Sequence, residues 1–210
     1  MSEVKGKRGG KARETKRRII DAAGALFVEQ GYGATTLQEI ADRAGVAVQT
    51  VYFVFGNKPT LLKELVDVVI AGDDEPVATL ERPWFMAIAD ATTAGSALAT
   101  LVTGTRATLE RVAKFTEMLR AAAATNPEIR GLWPDQRDPR YTVISTAVES
   151  VMRKPGARSG IPIAEATDVV YALLSPELFL VLTRDRGWPP TRWEQWAYDT
   201  LASQLITDVP

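Results

Sequence analysis

Residues 35–58 read TTLQEIADRAGVAVQTVYFVFGNK, and this run decides the fold. Thr36 is a good N-cap and Glu39 stands three residues later, which makes a capping box ahead of an apolar-periodic run. Leu37, Ile40, Ala41 and Ala44 fall on one helical face. Gly45 follows where the chain must turn sharply, and glycine takes a positive φ without steric cost. Val46, Val51 and Val54 continue the apolar face on a second short helix, and Ala41 is small enough for that helix to pack close. Two helices joined by a short Gly-containing turn match the motif whose second helix enters the DNA major groove. Ala47, Val48, Gln49, Thr50 and Phe53 are then the candidate groove-facing surface. A plain helical hairpin within a core is the competing reading.

Working outward, Thr15 to Gln30 predicts an amphipathic helix, with Ile19, Ile20, Ala23, Leu26 and Phe27 at helical spacing and Gly31 ending it. Its task is to cover the helix-turn-helix, with Tyr32 packed beneath it. On the other side Asn57 caps a further helix, Pro59 is tolerated in its first turn, and Leu61, Leu62, Leu65, Val66, Val69 and Ile70 form its apolar face. Lys58 at that N-terminus opposes the helix dipole unless a phosphate sits there.

The flanks carry the resemblance. The segment AAGALFVEQGYGATTLQEIADRAGVAVQTVYFVFGNKPTLL resembles the DNA-binding domain of TetR-type (tetracycline-repressor-like, TetR/AcrR) transcriptional regulators. The matching features are a helix ending in a Gly-Tyr turn, then TT, IA, AGV, Tyr52, Phe55 and Lys58, within about residues 15–62. Farther on, only helical character and a Leu-Ser-Pro-Glu-Leu…Arg-Gly-Trp segment (Leu174 to Leu178, Arg186 to Trp188) are similar. The resemblance implies phosphate contacts from Thr36, Tyr52 and Lys58. Val54 stands where the family often has histidine or another aromatic residue, and Ala47 where it often has a Ser or Thr cap.

The predicted recognition helix has no Lys or Arg, so base reading rests on Gln49 and Thr50, with Val48 or Ala47 on a thymine methyl. Thr36 also sits at a helix N-terminus, which favours an anion.

Composition narrows the function. With no Cys and no His among 210 residues, the chain lacks disulfides, thiolate metal sites and every Ser-His or Cys-His catalytic arrangement. No catalytic residue, metal site or cofactor is expected, and the protein is not expected to be an enzyme. The net charge of −1 hides an asymmetry. Residues 1–18 hold eight basic residues, Arg17 and Arg18 among them, and two acidic ones; the remainder holds 17 basic and 24 acidic. A basic end on an acidic body suggests a polyanion partner there. Residues 1–14 bury nothing and are expected to be a disordered basic arm along DNA. No apolar run reaches a membrane span and no signal peptide is evident, so a cytoplasmic location without membrane contact is expected.

The expected fold is all-α: a disordered basic arm (1–14), a three-helix helix-turn-helix DNA-binding domain (15–62), and a helical effector-binding and dimerisation domain (63–210). In the last, Ala94 to Ala124 is a long helical stretch with a candidate break near Lys114, and Ser175-Pro176-Glu177 interrupts another. Trp84, Phe85, Phe115, Met118 and Trp133 are the candidate pocket lining for an apolar small-molecule effector. Leu178, Leu182, Trp193, Trp196 and Leu201 are the candidate homodimer interface. Thr191 is the candidate cap of the last helix. Together these features suggest a regulator, most simply a repressor, on a palindromic double-stranded DNA operator. The alternative is a ligand-independent DNA-binding architectural or interaction protein.

Overall fold

The computed structural model describes residues 3–71, 78–131 and 139–207. Eleven α-helices lie among them: α1 (Glu3–Gln30), α2 (Leu37–Ala44), α3 (Val48–Phe55), α4 (Lys58–Ala71), α5 (Pro83–Asp90), α6 (Ala94–Thr125), α7 (Pro127–Gly131), α8 (Pro139–Met152), α9 (Ile163–Leu173), α10 (Pro176–Leu180) and α11 (Pro190–Leu205). A single 3-10 turn precedes α5 and a π-helical turn, Val181–Asp185, follows α10. The described residues contain no strand, only an isolated antiparallel bridge between Ala157 and Ile206. The all-α expectation holds.

The chain divides into two compact units, one of Met1–Ile70 with Lys114–Pro134, the other of Ala71–Ala113 with Asp135–Pro210. In the first, Ile19, Ala23 and Phe27 of α1, Ile40 and Ala41 of α2, and Val51 of α3 are fully buried. Leu61 and Leu62 of α4 join the same core. Each large apolar side chain withdrawn from water in this way contributes roughly 1.5–3 kcal/mol. Tyr32 is buried against Phe27, ring centroids 5.2 Å apart, as the sequence predicts.

Three expectations need correction here. The segment 1–14 is not a disordered arm throughout, because α1 begins at Glu3. Once the Ile19–Phe27 face is packed, extension needs no new nucleus, and Lys, Arg, Ala and Glu are good helix formers. The glycines at 6, 9 and 10 do not halt it. Second, the DNA-binding unit is not confined to 15–62. Phe115, Met118, Ala122 and Ile129 are buried in its core cluster, so the end of α6 and all of α7 belong to it. Third, α6 runs unbroken through Lys114, although the division between the units falls there.

In the second unit, Leu98, Leu101 and Val102 of α6, Val148 of α8, Val170 of α9 and Ala197 of α11 are buried. Trp84 lies flat over Gly104, where an added Cβ would meet its ring at 2.2 Å, so only glycine fits. The Lys154 ammonium donates to the carbonyls of Ala89 (2.8 Å) and Ala91 (2.6 Å). Ser175 caps α10, accepting from the Leu178 N–H, with Pro176 in the first turn.

Two of the five expected interface residues are core instead. Trp193 and Leu201 are fully buried within the chain, and the Trp193 ring stands edge-on to Phe179 at 5.1 Å. The helical period turns both inward, while Leu178, Leu182 and Trp196 remain half-buried. The cap of α11 is Pro189, with Pro190 in its first turn, and not Thr191. The run Ile163–Asp185 is long and apolar enough to cross a membrane by length and composition, contrary to the expectation that none would be. It is folded here as α9 and α10 on either side of Ser175, with Val170, Leu174 and Phe179 in the core.

Candidate nucleic-acid interface

The helix-turn-helix forms as its sequence dictates. The Thr36 hydroxyl accepts from the Glu39 N–H at 3.2 Å, and the Glu39 carboxylate accepts from the Thr36 N–H at 2.7 Å. Those bonds hold the Glu39 carboxyl below its ordinary value: the Thr36 backbone N–H first, then the Thr36 hydroxyl. Gly45 terminates α2 at φ 65°, ψ 43°, its N–H directed at the Ala41 and Asp42 carbonyls. Asn57 accepts from the Thr60 N–H at 2.8 Å and so caps α4.

The second helix, α3, turns Val51 and Phe55 into the core. Val48, Thr50 and Val54 are half-buried at its flanks, and Gln49 and Tyr52 face solvent. Phe53 is 91% exposed. Among the described residues no α3 side chain makes a hydrogen bond, and its N-cap, Ala47, supplies none. Arg17 and Arg18 are exposed on α1, while the neighbouring Lys16 pairs with Glu64 at 2.5 Å and lies 5.9 Å from the Phe55 ring centre.

Two of the expected phosphate contacts are engaged elsewhere. The Lys58 ammonium donates to the carbonyls of Tyr32 (2.9 Å) and Thr35 (2.8 Å) and sits 4.3 Å from the Tyr32 ring centre. Loss of water around it lowers its pKa from the ordinary value, and the Glu39 carboxylate works against that shift. Burial and the Glu128 carboxylate push the Tyr32 phenol up to about 12, so it stays neutral under the ammonium. The apparent conflict of a lysine at a helix start is thus resolved by backbone carbonyls of the preceding turn. The Thr36 hydroxyl lies 2.8 Å from the same Glu39 carboxylate.

The sequence reading missed this knot of Lys58, Tyr32 and Thr35, because its partners are carbonyls 26 and 23 residues away. It also missed the bidentate pair of Arg43 with Glu29, 2.5 and 2.8 Å, which bridges α2 to α1. Neither has a spacing signal. The expected pocket residues divide between the two units by chain position. Trp84 and Phe85 lie in the second unit, stacked edge-on at 5.6 Å, whereas Phe115 and Met118 are core residues of the first. Trp133 lies outside the described residues.

Residues 19–65 match the family described as bacterial regulatory proteins, tetR family. The HTH-type transcriptional regulator YvkB of Bacillus subtilis is 47% identical over 53 residues, 25% of this chain and 28% of that protein. The HTH-type transcriptional regulator TtgW of Pseudomonas putida is 38% identical over 85 residues, 37% of this chain and 60% of that protein. Residues 19–65 are thus similar to the DNA-binding segment of TetR-family regulators.

The chain thus spans less than two thirds of the length of either relative. The whole fold is shared more widely. A transcriptional regulator from Saccharomonospora viridis, solved in complex with choline, superposes with a TM-score of 0.70 at 21% identity, covering 93% of this chain and 99% of that one. At that identity the likeness is one of fold.

Proposed function

We propose that this protein is a cytoplasmic, sequence-specific DNA-binding regulator of the TetR family. It acts as a repressor that a small molecule releases from a palindromic operator. The observation that carries the reading is α3: an eight-residue helix set on a saturated, capped α2, whose outward side chains have no partner in the described chain. Val48, Gln49, Thr50 and Phe53 face the major groove. Tyr52, Arg17 and Arg18 take the phosphates. Lys58 and Thr36 hold the frame that presents them.

Leu178, Leu182 and Trp196 form the outer part of a homodimer contact, with Trp193 and Leu201 as the core beneath. A dimer places two recognition helices one helical turn of DNA apart or a multiple of it, ~34–36 Å. The effector is apolar and binds in the second unit beside Trp84 and Phe85. By linkage, an effector that weakens DNA binding binds the DNA-bound form less tightly by the same factor, typically about 1–3 kcal/mol.

The test is selection from a random DNA pool at about 150 mM salt, with Gln49→Ala in parallel. The expected result is a palindromic consensus that relaxes in the variant. The basic N-terminal stretch supports one other reading, a ligand-independent architectural protein. No consensus, a steep salt slope, and binding that disappears when residues 1–13 are removed would favour that reading.

A further inference from the structure

The recognition helix has an unusual chemistry for its task. Val48–Phe55 reads VQTVYFVF, without one charged side chain. The commonest specific contact to guanine is a bidentate Arg or Lys on O6 and N7, and α3 has neither. Arg17 and Arg18 are assigned above to the phosphates, and three further cations of this unit are engaged within the chain. Arg43 is paired with Glu29, Lys58 is held by two carbonyls, and Lys16 is paired with Glu64.

Beside the Thr50 hydroxyl and the Tyr52 phenol, α3 presents one amide and one bare phenyl ring. Gln49 and Phe53 stand four residues apart, so they share a face. The Phe53 ring is 91% exposed, more than any other large apolar side chain among the described residues. It adds nothing to the core, and water solvates it poorly. The only apolar group on a base edge in the major groove is the C5-methyl of thymine, and the base that an amide matches with two hydrogen bonds is adenine. One turn of four residues rises about 6 Å. That spans one to two base pairs at about 3.4 Å each.

We infer that α3 reads A·T pairs, Gln49 taking an adenine and Phe53 packing on the methyl of a thymine one or two pairs away. Phe53 is then a specificity-determining residue, and the core of each half-site lacks a directly read guanine. This rests on the proposed DNA-binding function, and the experiment separates the two.

Each thymine of the selected half-site is replaced in turn by deoxyuridine, which lacks only the methyl, and affinity is measured for the parent protein and for Phe53→Ala. One position is expected to weaken the parent about four-fold, the value of one buried methyl. At that position Phe53→Ala binds thymine and uracil equally. In a second arm, 5-methylcytosine at that position binds the parent better than cytosine, and the variant does not distinguish them. Because Phe53 packs against nothing, the variant keeps the parent's melting temperature and sedimentation coefficient.

A consensus with a G·C core overturns the inference and leaves the regulator intact. So does a uracil effect that persists in Phe53→Ala. A Phe53→Ala protein that sediments as a smaller species assigns the ring to self-association, which also overturns it. Failure to select any consensus removes both.

Discussion

The two helices of the helix-turn-helix have equal length, eight residues each, and equally buried inner faces. Their outer faces differ. On α2, Gln38 donates to Asp42 at 2.8 Å, Arg43 grips Glu29, and Thr36 and Glu39 close the capping box. On α3 the outer side chains bond nothing in the described chain. A helix that only had to fold would resemble α2, because each local hydrogen bond contributes and an exposed phenyl ring does not. The difference shows where the molecule leaves stability unused, and unsatisfied recognition groups are what a binding surface requires.

The comparison predicts that inner faces matter equally and outer faces separately. Ile40→Ala empties a fully buried site on α2. It is expected to destabilise by about 2–5 kcal/mol in urea unfolding, with DNA affinity falling only as far as folded protein is lost. A cost near zero would mean that α2 is not the fixed half of the pair. Gln49→Ala should do the reverse. Its melting temperature stays unchanged, while discrimination at one base pair falls by about 1–3 kcal/mol. Loss of stability in that variant would place Gln49 inside the fold and end the distinction.

The two helices also differ in how readily their sequences speak. The capping box, Gly45 and the Ile40, Ala41, Val51 face were legible, because caps, positive φ and apolar spacing are encoded within a few residues. The exposure of Gln49 and Phe53 followed from the same period. The role of Lys58 was not legible. A lysine before a proline at a helix start looks identical whether its partner is a phosphate or the carbonyls of Tyr32 and Thr35. The C-terminal tryptophans were ambiguous for a similar reason. Helical spacing places Trp193 and Trp196 on neighbouring faces, and only packing against Phe179 decides that Trp193 is the inner one.

Lys58 therefore gives a sharper test than either helix alone. Lys58→Met removes two charge-assisted bonds but also relieves a desolvated ammonium, so the expected cost is about 1.5 kcal/mol, the lower end for bonds to a charged group. DNA affinity should fall with the frame. The slope of log affinity against log salt should stay as it is, whereas loss of a phosphate contact lowers it by about 0.9. A changed slope with unchanged stability would return Lys58 to the outer, DNA-facing set.

The smallest effect expected is at the cap itself. Thr36→Ala should cost about 1 kcal/mol at neutral pH. Its pH dependence is more telling than its size. The Glu39 carboxyl is held below its ordinary value of 4.5 in the folded protein, by the Thr36 N–H and then the Thr36 hydroxyl. A carboxylate of this kind adds stability that is fully present above 4.5 and is lost as pH falls through the lowered value. In Thr36→Ala the backbone N–H remains, so part of the shift survives. The hydroxyl's bond to the carboxylate goes, whereas its acceptance from the Glu39 N–H is independent of pH. The penalty of the variant should then shrink, without vanishing, between about pH 7 and about pH 3 in matched urea titrations. A penalty constant over that range would mean the hydroxyl caps α2 without touching Glu39. That would leave its proton available to a phosphate, and α2 would share in the open character of α3.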